Sequence, residues 1–389
     1  MKRIYSIDFI RGLVMIIMAL DHSRDLLHVH SIDQNPTDLS TTTPILFFTR
    51  WITHLCAPIF VFLSGTSAFL SIKNQPDQDT RTSRRFLLTR GLWLILLEFT
   101  IVNFAIWYDI HFQLEFLQVI FTIGFGFILL STMIKVPPKI LAMIGLILIF
   151  GHDLITTLPP PANPVARFIT SFLFAPGLFP ITSHLTIFVG YPALPWFGIM
   201  LTGFACGQLF WLPAPQRKKI FWQTGMAVLI LFVILRYINI YGDPSKWSHQ
   251  KDALFTFLSF MNVSKYPPSL LYTLVTLGIM FLLLAVMENV TNPFTRVIST
   301  YGKVPLFYYL IHWYVLHTIM LIVVFAQGFH AADLQFGAFL FGRPKSPSGL
   351  PLAGVYGIWF GVVCLMYPLC RWYSAYKSAH RDNKWLRYL

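Results

Sequence analysis

The sequence predicts an all-α integral membrane protein of about ten transmembrane helices with both termini in the cytoplasm. Three observations carry that reading. The 389 residues are 56% hydrophobic, with a mean hydropathy of +0.63. Only 12% are Asp, Glu, Lys or Arg, where a soluble domain carries about 25%. The net charge of +13 sits in short clusters between apolar stretches of roughly 20 residues, each able to cross a bilayer core of about 30 Å. An ordinary cytoplasmic enzyme is excluded, and so is a nucleic-acid binder, which needs its cations gathered in a patch on a soluble body.

The spans are expected near 6–23, 47–71, 86–107, 113–134, 138–157, 194–213, 219–239, 267–288, 303–326 and 351–373. The first opens like a signal peptide, with Lys2 and Arg3 before an apolar run. Asp8 and Arg11 interrupt that run and no small-x-small cleavage site follows, so it is read as a span. Pro137-Pro138, Pro159-Pro160-Pro161 and Pro213 to Pro215 mark breaks between later spans. The connections 158–193 and 240–266 are rich in aromatics and proline and are expected to fold over a membrane face. No repeat of fixed period is visible. Residues 1–375 read as one polytopic domain and 376–389 as a short basic cytoplasmic tail. Cys56, Cys206, Cys364 and Cys370 lie in apolar segments without a CxxC pattern, so they read as packing residues, and no metal is expected.

Charge sets the expected orientation. Lys2 and Arg3, the loops after spans two, four, six and eight, and the C-terminal tail hold 18 of the 29 basic residues. The opposite side holds 8: Arg24, Arg50, Arg167, Lys246, Lys251, Lys265, Arg343 and Lys345. The positive-inside rule then places the first set in the cytoplasm. The histidines show the reverse bias. Nine of the 12 fall at outer ends of spans or in outer loops, among them His22, His28, His30 and His54. Imidazole is the side chain suited to proton transfer near neutral pH.

Span one concentrates the chemistry. Asp8, Arg11, Met15, Met18 and His22 are spaced 3, 4, 3 and 4, a single helical stripe. Arg11 and His22 nearly share an azimuth, about 16 Å apart along the axis. An Arg and a His in one span are costly unless both face protein or water. The structural alternative makes Asp8 and Arg11 an interfacial ion pair and His22 a helix cap. In span two, Pro58 follows His54 by four residues and should free a backbone carbonyl. The run from Ser64 to Ala68 lets another helix approach closely or opens a groove for a cofactor. Span three carries Glu98 near mid-membrane, where a carboxylate must be protonated or paired, and Arg11 and His54 are candidate partners. Span nine adds Tyr308, Tyr309, His312 and His317, with Tyr308 and His312 sharing a face.

The segments SIDFIRGLVMIIMALDHSRD, APIFVFLSGTSAFL, RGLWLILLEFT, LPWFGIMLTGFACG and YYLIHWYVLH resemble the heparan-α-glucosaminide N-acetyltransferase catalytic-domain family. The spacing of Arg11 and His22 also resembles the first span of the acyltransferase-3 proteins, within a wider transmembrane acyltransferase group. The resemblance implies transfer of an acyl group, typically acetyl from acetyl-CoA in the cytoplasm, to an acceptor outside. In the lysosomal enzyme that acceptor is a terminal glucosamine amine. This sequence departs from that enzyme in lacking its large luminal domain ahead of span one. The lysosomal enzyme's catalytic histidine would fall near His28 or His30, where the acyltransferase-3 pattern selects His22, so both positions stay open.

The expected reaction is therefore acyl transfer from acetyl-CoA to a glycan or amino-sugar acceptor. Arg11, Asp8 and Arg90 are expected at the donor end. His22 is expected as general base or transient nucleophile, with Asp21, Asp25 or His54 orienting it. Arg24, Glu98, His28, His30, Tyr308 and His312 complete the candidate substrate or relay groups. The competing expectation is a proton-coupled transporter or flippase, with Glu98, His22 and His312 as its relay. Expected partners are the lipid bilayer, an acyl-CoA, the acceptor and, left open, a second copy of the chain, with no nucleic acid. Short loops and the lack of a targeting sequence favour a bacterial inner membrane.

Overall fold

A computed structural model of the chain describes residues 4–73, 79–336, 339–380, 382, 383 and 386. In chain order, α1 is Tyr5–Leu27, α2 Pro44–Ile52, α3 Cys56–Lys73, α4 Thr80–Leu97 and α5 Asn103–Trp107. β1 (Leu114–Leu117) precedes α6 (Val119–Thr132), α7 (Pro138–Thr156) and α8 (Pro164–Phe174). β2 (Gly177–Pro180) and β3 (Thr186–Val189) lead to α9 (Ala193–Cys206) and α10 (Ala214–Ile238). The last helices are α11 (Ala253–Met261), α12 (Leu270–Val286), α13 (Pro293–Gly302), α14 (Pro305–Ala326) and α15 (Leu352–Ala379).

Among the described residues, seven helical stretches are long and apolar enough to cross a membrane. They are Pro44–Lys73, Thr80–Trp107, Pro138–Ile155, Ala193–Trp211, Ala214–Ile238, Pro305–Ala326 and Leu352–Ala379. The other three expected spans fall on α1, which carries five charged side chains, and on the shorter apolar helices α6 and α12. Lys2 and Arg3, and in the tail Arg381, Lys384 and Arg387, lie outside the described residues. The tail is helical as far as Ala379.

The expectation of an all-α chain needs correction, because β1, β3 and β2 form a small sheet in that order. β1 runs parallel to β3 from Leu114 opposite Thr186 to Leu117 opposite Val189, and β2 runs antiparallel to β3. Residues 113–117 therefore begin no span. Asn103 holds the strand in place of a further β partner, accepting from the Phe116 N–H at 2.7 Å and donating to its carbonyl at 3.3 Å. The 158–193 connection supplies α8 and the other two strands. Cys364 is a second correction: it is exposed on α15, whereas Cys56 and Cys370 are buried as expected.

α1 is packed against α13, α14 and α15. Its contact with α13 depends on two glycines. A Cβ on Gly12 would stand 1.9 Å from the Ile298 carbonyl oxygen, and one on Gly302 would stand 1.8 Å from that of Asp8. Neither neighbour can move without displacing a helix backbone, so these positions require Gly. The Ser64–Ala68 run divides between two faces: Gly65 and Thr66 pack on α9, with the Thr66 hydroxyl donating to the Gly203 carbonyl at 2.8 Å.

The break between α2 and α3 follows from Pro58. Proline has no N–H to offer the carbonyl four residues earlier, and the His54 carbonyl instead accepts from the Tyr272 hydroxyl at 2.9 Å. Loops close the same end of the bundle. Buried Arg236 donates to the carbonyls of Ser245, Ser259, Phe260 and Asn262, tying the connection around α11 to α10. Buried Arg343 donates to the His28 carbonyl at 2.8 Å and the Ser31 hydroxyl at 2.7 Å.

Candidate active site

α1 and α14 both start at the end of the bundle that carries the basic loops. Between them and α3, α4 and α6 lies a cavity of about 330 Å³, within the range of small-molecule sites. Four cations line it: Arg11, Arg90, Lys303 and Lys377. Among the described residues no carboxylate lines it, and its remaining walls are mostly apolar, with Met15, Leu306 and Ile120 among them and Tyr309 also contributing. Ser64, Ser67, Ala68 and Ser71 form the α3 wall, so the small-residue run supplies a groove as well as a packing face. The Arg11 guanidinium donates to the Leu63 carbonyl at 3.0 Å and to the Ser67 hydroxyl. Arg90 lies 5.9 Å from each of the Phe86 and Phe127 ring centres. Asp8 is buried against α13 and is absent from the lining.

Further along the same two helices, His22 Nδ1 meets His312 Nε2 at 2.7 Å. The proton positions follow from the partners. His312 Nδ1 lies 3.0 Å from the Tyr308 carbonyl, which only accepts, so that nitrogen carries hydrogen and Nε2 of the neutral ring is an acceptor. His22 must then donate from Nδ1, which leaves Nε2 with its lone pair. No described residue bonds His22 Nε2, and the side chain is only half-buried. His22 also stacks on Trp313, with ring centres 3.9 Å apart. The arrangement is a base with a fixed tautomer and an open face.

The expected orienting groups stand elsewhere. Asp21 accepts from Arg50 at 2.7 and 2.9 Å and pairs with Arg24 at 2.9 Å. Asp25, partly exposed, pairs with Arg24. Neither carboxylate bonds the His22 ring, since each is occupied by a nearby guanidinium. His54 is buried, edge-on to Tyr272, and its Nδ1 has no partner among the described residues. It joins His22 in a shared electrostatic cluster with Asp21, Arg24, Arg50 and Lys265.

Glu98 is paired with neither Arg11 nor His54. Its Oε2 accepts from the Phe121 N–H at 2.9 Å, one of the donors that the first turn of α6 leaves free. A carboxylate at a helix N-terminus is favoured by both hydrogen bonding and the helix dipole. Tyr308 stacks on His312, with ring centres 5.4 Å apart, and its hydroxyl is buried without a partner among the described residues. His317 stands apart, donating to the Ala105 carbonyl and stacked on Tyr108.

His28 and His30 follow the end of α1. Burial, then the charges of His30, Arg24 and Arg343, hold the His28 imidazole below its ordinary range. No hydrogen bond among the described residues orients its ring. His30 is exposed and lies 3.5 Å from Asp33. Among the described residues, no group of three or more His, Cys, Asp or Glu is arranged to hold a metal.

Sequence reasoning singled out both ends of the α1 stripe but missed Lys303 and Lys377 as cavity residues and Trp313 as the partner of His22. The i, i+4 spacing of Tyr309 and Trp313 was the signal available for Trp313. The two cavity lysines are separated by 74 positions of sequence, and only the fold brings them together.

A family model described as heparan-alpha-glucosaminide N-acetyltransferase, catalytic, matches residues 3–239. That stretch includes Arg11, His22, His54, Arg90 and Glu98 and ends before α14. None of the curated proteins matches the chain.

Proposed function

The chain belongs to the heparan-alpha-glucosaminide N-acetyltransferase catalytic family, and on that premise we propose a membrane acetyltransferase that takes acetyl from acetyl-CoA on the cytoplasmic side and delivers it to an amino-sugar or glycan acceptor on the outer side. The observation that carries the reading is the succession along α1 and α14 of a cation-lined cavity and then an oriented imidazole. An acyl-CoA has the same asymmetry, with its phosphates at one end and an uncharged thioester at the other. Arg11, Arg90, Lys303 and Lys377 would hold the phosphates, and the apolar walls would take the pantetheine arm.

His22 Nε2 then removes the proton from the acceptor amine or hydroxyl as that atom bonds to the thioester carbon. The carbon–sulfur bond breaks, and the sulfur leaves as a thiolate that receives the same proton back from His22. His312 keeps His22 in the required tautomer throughout. The cycle consumes no net proton and calls for no proton path across the membrane. Ten spans with both termini in the cytoplasm complete the proposal: the basic loops lie at the cavity end, in accord with the positive-inside rule. A bacterial inner membrane suits the same layout. The transport alternative would require Glu98 to join His22 and His312, but its carboxylate serves the N-terminus of α6.

The test uses purified full-length protein in detergent, with no membrane gradient, labelled acetyl-CoA and envelope glycans or amino sugars. Mass spectrometry should find acetylated acceptor, and its formation should depend on His22. Protein that binds the same glycans and transfers nothing would contradict the proposal.

A further inference from the structure

Two buried hydrogen-bond donors stand beside the His22–His312 pair, neither in a geometrically sound hydrogen bond among the described residues. Tyr309 is 3% exposed and Trp313 5%. Among the described residues, neither the Tyr309 hydroxyl nor Trp313 Nε1 meets a partner in hydrogen-bond geometry. Leaving a polar group buried and unpaired is costly, and two on one helix face call for a common explanation. They are four residues apart on α14, which puts them on the same side one turn from each other, and the indole N–H lies near the phenol oxygen without meeting hydrogen-bond geometry.

Their placement is specific. Tyr309 lines the cation-bearing cavity and its ring centre lies 5.8 Å from that of His312. The Trp313 indole is fixed against the imidazole of His22 by the 3.9 Å stack. Tyr309 thus borders the space assigned to the donor, and Trp313, one turn on, borders the base that activates the acceptor. Tyr308 offers a contrast with Tyr309: its hydroxyl is also without a partner among the described residues, but its ring faces Tyr301 and does not line the cavity. Trp313 lies outside the lining too, and its place at the site rests on its stack with His22.

We propose that the Tyr309 hydroxyl and Trp313 Nε1 form an oxyanion hole for the tetrahedral intermediate of acyl transfer. The assignment rests on the acetyltransferase reading above and deepens it. As the acceptor nitrogen or oxygen bonds to the thioester carbon, the carbonyl π pair moves onto its oxygen, and the acceptor proton passes to His22 Nε2. The two donors hold the resulting oxyanion by hydrogen bonds. Collapse re-forms the carbonyl, breaks the carbon–sulfur bond and releases the thiolate, which takes the proton from His22. Donors that are already desolvated and waiting bond most strongly where the charge appears, which lowers the barrier without strengthening ground-state binding.

The test compares Tyr309→Phe and Trp313→Phe, each of which keeps a ring and removes a donor, with His22→Ala. Each donor variant should lose about 10²–10³-fold in kcat while KM for acetyl-CoA is unchanged. A second readout is binding, without turnover, of a coenzyme A thioether ending in a methylphosphonate, a tetrahedral anion. It should bind both variants at least tenfold more weakly than wild type, while coenzyme A itself binds all three equally. If both variants keep wild-type kcat and bind the mimic normally, the oxyanion hole is overturned, and loss of activity in His22→Ala would leave the acetyltransferase reading standing. A parallel loss of coenzyme A binding would also overturn it, since that marks a packing role. Wild-type protein that transfers no acetyl group overturns both.

Discussion

His22 and His312, 290 residues apart in sequence, share one hydrogen bond of 2.7 Å between α1 and α14. The bond matters because of what lies on either side of it. The Tyr308 carbonyl fixes the hydrogen of His312, and that in turn leaves the outward nitrogen of His22 free to accept a proton.

Replacing His312 with Phe should therefore damage catalysis without touching the donor. The ring volume stays and the acceptor for His22 Nδ1 is lost, so both tautomers of His22 become available. We expect kcat to fall by about 10²-fold or more, with KM for acetyl-CoA unchanged. Steady-state kinetics at saturating acceptor read this directly, and unchanged kcat would remove His312 from the mechanism.

Glu98 should behave in the opposite way. Its carboxylate caps α6, so Glu98→Ala leaves buried donors on the first turn of that helix and should cost about 1–3 kcal/mol of stability. Thermal unfolding in detergent should shift downward, while the folded fraction keeps its kcat. A stable variant with no turnover would return Glu98 to the relay that the transport reading assigns it.

Lys303 and Lys377 line the cavity beside Arg11 and Arg90. Lys303→Ala and Lys377→Ala should each raise KM for acetyl-CoA with little change in KM for the acceptor. Arg11→Ala should do the same more strongly, because its charge-assisted contact with phosphate is lost. The defects should shrink as salt is raised, since screening weakens the wild-type contacts too. Equal effects on both substrates would make these residues packing elements.

How much of this was legible follows from which distances the sequence encodes. The α1 stripe could be read because helical period alone places Arg11 and His22 on one face. The freed His54 carbonyl could be read because Pro58 removes its donor whatever the surroundings. The small sheet could not, because LEFL and TIFV are 72 positions apart and each is short and apolar. The hydrogen-bond partner of Glu98 was not legible for a similar reason: it is the backbone N–H of Phe121 and neither Arg11 nor His54, and backbone donors leave no trace in side-chain chemistry. His312 was identified as a relay candidate, but its contact with His22 is a tertiary fact.

Orientation gives a further prediction. Reporters fused within 74–85 and 214–219 should be cytoplasmic, and one near residue 165 external. A reporter in 74–85 found outside would reverse the topology and move the donor to the other side of the membrane.

The central claim is that His22, held by His312, is the base. The most direct measurement is acetyl transfer by purified His22→Ala, His28→Ala, His30→Ala and His54→Ala, each checked for folding and for binding of coenzyme A. His22→Ala should bind coenzyme A and transfer nothing, His54→Ala should be impaired less, and the other two should retain most of their turnover. Near-normal turnover in His22→Ala, with His28→Ala or His30→Ala inactive, would contradict the account and move the catalytic histidine beyond the end of α1.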